Sequence, residues 1–113
     1  MGALVTGHMN PDTDSIISAI AATDLYSKRG FDVSAAAQGK PVPETEFVLN
    51  KFGLSAPGVI ADVAGKEIFL VDFSDLAQAP TGMDNATVKG IVDHHKLGDV
   101  TTSSPLEAWI WPV

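Results

Sequence analysis

The sequence predicts an α/β domain in which a mainly parallel sheet carries helices on both faces. Two observations predict it. Short apolar runs of strand type alternate with helical segments, the order from which parallel sheets are built. At 113 residues, 45% hydrophobic and with a mean hydropathy of +0.17, the chain also suits one domain with a real core. It is too apolar for a disordered chain and lacks the roughly eighteen unbroken apolar residues of a membrane span.

The elements follow in order. "ALVT" (residues 3 to 6) is a short apolar strand, and "GHMNPD" turns out of it with Gly7 and Pro11 as punctuation. A helix follows, for which Thr13, Asp14 and Ser15 are suitable N-caps; Ile16, Ile17, Ala19, Ile20, Ala21 and Leu25 give it a broad apolar face before Gly30 stops it. "FDVSAAA" (31 to 37) reads as a second strand. "PETEFVLNKFG" (43 to 53) opens with proline and acids, as a helix start prefers, and ends at Gly53. "GVIADV" and "EIFLVDF" are the next apolar runs, the second a buried strand, and "VKGIVDHH" is another. No internal repeat, low-complexity tract or linker interrupts them.

Charge and composition narrow the function. A net charge of −7 argues against broad binding to nucleic acid or an anionic membrane, which require a basic face. The absence of cysteine excludes disulfides, thiolate metal sites and cysteine nucleophiles, and "MGALVTGHMNPD" lacks the features of a signal peptide, so a cytoplasmic location is expected. Phosphate substrates stay open, because carboxylates gathered at one site can hold divalent cations that reverse the local sign.

Parallel sheets place their sites at the carboxyl ends of the strands. There His8, Asp12 and Asp14 follow "ALVT", Asp72 ends "EIFLV", and Asp93, His94 and His95 end "GIV". Neighbouring strands are ~4.8 Å apart, so these side chains can converge. Taken singly, each has an ordinary explanation: Asp14 as a helix N-cap, Asp72 as a turn cap, His8 as a loop histidine. Together they place ligand-type side chains at three strand exits, and four aspartates converging without cations would repel one another. Imidazole and carboxylate without thiolate suit Mn²⁺, Co²⁺, Fe²⁺ or Zn²⁺, with a lean toward Mn²⁺ or another hard ion. Two such ions suit phosphoryl transfer. No Walker-type, G-x-G-x-x-G or G-x-S-x-G motif is present.

"GHMNPDTDSIISAIA", "LVDFSD" and "IVDHH" together resemble the DHH phosphoesterase superfamily, and within it the family II, manganese-dependent inorganic pyrophosphatases. The resemblance runs over essentially the whole chain. Single-strand exonucleases and small-oligonucleotide phosphodiesterases share the same His-x3-Asp-x-Asp and Asp-His-His; the distinguishing details are "NPDTDS", with Thr13 where those relatives tend to have Gly, and the tail "TTSSPLEAWIWPV". The resemblance implies a DHH-type, Rossmann-like fold. It implies His8 and Asp12 as ligands of one metal, Asp14 and His94 as ligands of the other, and Asp72 as the bridge. His95 would contact phosphate and donate a proton to the leaving group, while Asp93 orients a histidine. The implied cofactors are two Mn²⁺ or Co²⁺, with Mg²⁺ accompanying the substrate, and the implied reaction is attack of a metal-bridging hydroxide on pyrophosphate.

Two departures qualify these expectations. Phe73 and Ser74 stand where the family commonly has His and Asn after the bridging aspartate. The family's enzymes also have a further aspartate ligand and a second domain that supplies lysine and arginine to the substrate. Residues 1–113 therefore read as the N-terminal part of a DHH phosphoesterase domain, incomplete at Val113 and without the substrate-binding domain. Counting charges gives the same expectation: of seven basic residues only Lys96 adjoins the site, too few to clamp a polyanion. The isolated chain is expected to be inactive or nearly so. Alternatives are a DHH-type phosphodiesterase acting on short oligonucleotides, for which Trp109 and Trp111 are the sole hint and otherwise read as core or edge residues, and a non-catalytic metal-binding or assembly module. A homodimer is left open, and neither membrane nor nucleic acid is an expected partner.

Overall fold

The computed structural model describes residues 2–111. Its elements are β1 (Ala3–Thr6), α1 (Thr13–Lys28), β2 (Val33–Ala37), α2 (Pro43–Lys51), β3 (Gly58–Val59), β4 (Glu67–Val71), β5 (Thr87–Asp93) and β6 (Glu107–Ile110), with 3-10 turns at Leu76–Gln78 and Met83–Asn85. The strands form one six-stranded sheet in the order β3-β2-β1-β4-β5-β6, and every pairing is parallel. The chain first runs outward from β1 to β3, then returns to the other side of β1. That reversal makes the β1/β4 boundary a topological switch point, where connections leave in opposite directions and open a crevice at the carboxyl ends.

Alternation along the central strands divides the core. Ala3 and Val5 of β1 and Phe69 and Val71 of β4 pack with Ala19 and Tyr26 of α1. Ile68 and Leu70 point to the opposite face and join Val63, Phe73, Val88 and Ile91. Aromatic packing joins α1 to the sheet: the Tyr26 and Phe69 rings lie 4.2 Å apart, with Phe31 at 5.4 Å from Phe69. The expected parallel α/β architecture is the one observed, but its two faces are covered unequally. Leu49 of α2 packs with Ile16 of α1 and Ala37 of β2, on the face α1 already covers. Across the sheet the cover is made by the two 3-10 turns and loops, through Ile60, Ala79, Met83, Ala86, Val100 and Leu106.

The structure corrects one local reading and sharpens two. The N-cap of α1 is Asp12, whose Oδ1 accepts from Ser15 N at 2.9 Å, and not Thr13, Asp14 or Ser15. Of "GVIADV", only Gly58 and Val59 pair in the sheet; the rest is loop that inserts Val63 into the core. The tail supplies the edge strand β6, so Trp109 and Trp111 are edge residues, 59% and 77% exposed, and not core. Arg29 at the end of α1 ties that edge down with two bonds to Glu107, at 2.7 and 3.2 Å. Among the described residues no helix is long and apolar enough to cross a membrane.

Phe69 is buried beneath α1 whereas Phe47 stands 67% exposed on α2. Phe69→Ala is expected to cost ~3–5 kcal/mol. Phe47→Ala should stay within about 0.5 kcal/mol. Urea unfolding of the two variants measures the contrast.

Candidate metal centre

The exit of β1 is built to present His8. A side chain at Gly7 would run into Ser15 Oγ, and that hydroxyl accepts from His8 N at 3.0 Å, so the turn folds tightly onto the start of α1. His8 Nδ1 lies 2.7 Å from Met9 O. A carbonyl only accepts, so Nδ1 carries a proton and Nε2 is the nitrogen turned to the cluster. Nε2 lies 3.2 Å from Asp72 Oδ2 and 3.4 Å from Asp12 Oδ1.

Asp72 stands at the switch point, 5% exposed, with its backbone in the left-handed region at φ 65°. Asp is one of the few non-glycine residues that tolerate this conformation, which turns the chain out of β4 within one residue. Its two carboxylate oxygens look in different directions. Oδ2 faces His8, while Oδ1 lies 2.7 Å from His94 Nε2, which is in turn 3.1 Å from Asp14 Oδ2. Asp14 Oδ1 accepts from Ser18 Oγ at 2.9 Å, leaving Oδ2 for the cluster.

The exit of β5 is organised by Asp93, 4% exposed. Its Oδ1 accepts from His94 N at 2.8 Å, His95 N at 3.2 Å and His95 Nδ1 at 2.7 Å. The ring bond leaves His95 Nε2 directed away from Asp93. Asp93 Oδ2 is buried with no hydrogen-bond partner in the structure.

The sequence singled out His8, Asp12, Asp14, Asp72, Asp93, His94 and His95, and the fold brings all seven to one edge of the sheet. His8, Asp12 and Asp72 can each offer one atom to a group within 4.8 Å of one another, and so can Asp72, Asp93, His94 and His95. Asp14 joins the second group only through His94. Burial pushes the Asp72 carboxyl above the usual carboxylate range, aided by the charges of Asp14 and Asp12 and opposed by the bond from His94 and the charge of His8. The bond to Asp72 raises His94. Both shifts express one fact: the cluster holds more negative charge than it can solvate, and a cation of any kind relieves it. A donor set of carboxylate oxygens and imidazole nitrogens within 4.8 Å of one another, without thiolate, fits divalent metal ions of the Mn²⁺ type.

Other residues at the site escaped the sequence reading. Gln38 Nε2 donates to Gly7 O at 3.0 Å and Gln78 O at 2.8 Å, tying the β1 exit to the first 3-10 turn. It directly follows β2, the neighbour of β1, so the strand-exit rule would have found it had amides been included. Ser74 Oγ accepts from Gly98 N at 2.7 Å and Phe73 is buried in the second-face core. A hollow of about 220 Å³ beside the cluster is lined by His8, Asp72, Phe73, Ser74, Gln78 and His95. A larger one, about 400 Å³ and lined by Met83, Thr101 and Thr102 among others, lies on the far face away from these side chains.

Comparison with known proteins agrees with this geometry. Over 114 aligned residues the chain is 47% identical to an Archaeoglobus fulgidus protein named as a manganese-dependent inorganic pyrophosphatase, covering 90% of this chain and 35% of that one. An Oceanobacillus iheyensis protein of the same name is 40% identical, with 91% and 34% covered. A crystal structure of a Methanococcus jannaschii protein assigned to the family II inorganic pyrophosphatases superposes with a TM-score of 0.87 at 44% identity, over 96% of this chain and 34% of that one. The chain thus spans about a third of the length of these relatives. Residues 3–112 match the DHH family, N-terminal domain, and with the fold and the clustered residues in agreement the chain belongs to the DHH family.

Proposed function

We propose that the chain is the metal-ion half of a manganese-dependent enzyme that hydrolyses inorganic pyrophosphate to two phosphates. The observation that carries the reading is the buried Asp72 carboxylate, whose two oxygens serve two different sets of donors. In this reading His8, Asp12 and Asp72 would hold one Mn²⁺, and Asp14 and His94, sharing Asp72, would hold the other. When bound, such a pair supplies Lewis acidity toward phosphoryl oxygens and acidifies water. His95 is the proton donor to the departing phosphate: Asp93 takes the bond from Nδ1 and so fixes which nitrogen is free to face the hollow. Gln38 and Ser15 hold the His8 turn in place.

The substrate is a polyanion, and Lys96 is the one basic residue next to the Asp-His-His turn. The remaining cationic clamp, with Mg²⁺ accompanying the substrate, is assigned to a C-terminal substrate-binding domain of the kind the longer relatives have room for. The curated relatives' names support pyrophosphate over oligonucleotide as substrate.

Asp72→Asn separates the electrostatic cost of the carboxylate from its use. Asn also tolerates left-handed backbone, so the variant folds. Without metal it should melt at a higher temperature than wild type, because an ionised group disfavoured by burial is gone. Mn²⁺ at about a hundred times its Kd stabilises a chain by ~2.7 kcal/mol; Asp72→Asn should lose most of that gain. Calorimetric melts with and without Mn²⁺ read both, and an undiminished gain would remove Asp72 as the bridge.

The pH dependence has a definite sign. His94 is raised above 6.5, so its stabilising contribution is complete below 6.5 and is lost as pH rises through the raised folded-state value. Asp72 is raised above 3.8, so its penalty grows as pH rises through its own folded-state value. Metal-free stability should therefore fall as pH rises in each window. Mn²⁺ affinity should climb across the His94 window, since protons and metal compete for the same atoms. Melts and Mn²⁺ titrations over a pH series check the opposed slopes.

Hydrolysis of pyrophosphate by the 113-residue chain with Mn²⁺ and Mg²⁺ should be below about a thousandth of the rate of the Archaeoglobus fulgidus relative. Loss of one preorganised charge-stabilising donor costs ~10² to 10³ in rate, and several are needed. Phosphate release assays, with His95→Ala as the control for contaminating phosphatase, decide it. Equal rates would show that the clamp lies within these residues.

A further inference from the structure

Thr13 lies between two carboxylates of the cluster but takes no part in it. Its Oγ1 donates to Glu44 Oε1 at 2.5 Å and lies 2.9 Å from Thr45 Oγ1, across 31 and 32 residues of sequence. A hydroxyl has one hydrogen, so with Glu44 taking it the Thr45 hydroxyl is the donor in the second bond. The bond to Glu44 belongs to the short, charge-assisted class. Thr45 is 0% exposed, and without Thr13 its hydroxyl would be a buried polar group with no partner.

We infer that Thr13, held by Glu44 and Thr45 of α2, is a positioning residue for the metal centre that fixes the rotation of the first turn of α1 and with it the spread of Asp12 and Asp14. Consecutive helical residues are separated by ~100° around the axis. Asp12 faces His8 at 3.4 Å, Asp14 faces His94 at 3.1 Å, and Thr13 between them is bonded to α2. Turning this segment moves one carboxylate toward its histidine and the other away. Its other restraints are the Asp12 cap bond, the Ser15 hydroxyl beneath His8 N and the packing of Ile16 against Leu49, and of the side-chain bonds on this turn the two made by Thr13 are those that reach α2. The inference rests on the ligand roles proposed above.

The test uses the chain with Mn²⁺ added and compares wild type, Thr13→Ser, Thr13→Val and Glu44→Gln. Equilibrium dialysis gives affinity and stoichiometry, electron paramagnetic resonance distinguishes a spin-coupled ion pair from isolated Mn²⁺, and circular dichroism reports folding. Wild type and Thr13→Ser should bind two coupled ions. Thr13→Val, which keeps shape and loses both bonds, should bind at least one ion about tenfold more weakly and show isolated Mn²⁺. Glu44→Gln, which leaves Thr13 in place, should fall between them and decides the matter if Thr13→Val does not fold. Wild-type affinity and coupling in a folded Thr13→Val, or in Glu44→Gln if the former is unfolded, overturns the inference alone. A wild-type chain that takes up no ion pair removes the ligand reading itself.

Discussion

Everything at the carboxyl edge of the sheet depends on one buried carboxylate kept where it is electrostatically disfavoured. Asp72 is enclosed between the exits of β1 and β5, and burial together with the charges of Asp14 and Asp12 opposes its ionisation. The fold tolerates this because the exits carry imidazoles that meet each oxygen separately, His8 on one side and His94 on the other. Hydrophobic packing on both faces of β4, from Ile68 through Val71, buries the strand that carries it and leaves Asp72 only 5% exposed, at the wall of the hollow. The energy that binds an ion here is thus supplied in advance by the core.

The parallel order of the strands and the convergence of their exits were legible because both follow from short-range signals: apolar runs, turn residues and a topology rule. The seven clustered residues were found in this way. What escaped was decided by contacts between distant segments. The link from Thr13 to Glu44 and Thr45 spans 31 and 32 residues, and the Gln38 bond to Gln78 spans 40. No local pattern encodes such pairs. The N-cap was misplaced for a related reason. Asp12 is read most readily as a ligand, yet a carboxylate has two oxygens, and the same one that faces His8 also accepts from Ser15 N.

Phe73 and Ser74 show how a departure from a family pattern can be absorbed by packing. The chain reverses direction at Asp72, so the next residue re-enters the core and the one after meets the loop beyond His95. Phe73 anchors the reversal from below. Ser74 accepts from Gly98 N with its hydroxyl, and its carbonyl accepts from Val100 N at 3.1 Å. A side chain at Gly98 would collide with the Ser74 carbonyl, so this approach depends on glycine. The two positions therefore connect the β4 and β5 exits mechanically.

The unequal cover of the sheet has a kinetic meaning. Under α1, amides of β1 and β4 are shielded by long-range aromatic packing and exchange with solvent only on wide opening. The opposite face is closed by loops and two three-residue turns, which hold few backbone bonds of their own and can lift individually. The exits themselves rest on that looser face: Met9 N and Gln38 bond Gln78 O of the first 3-10 turn, and the turn after β5 leans on the loop held by Ser74. Native-state hydrogen exchange would then separate the protected strands beneath α1 from the loops that border the site.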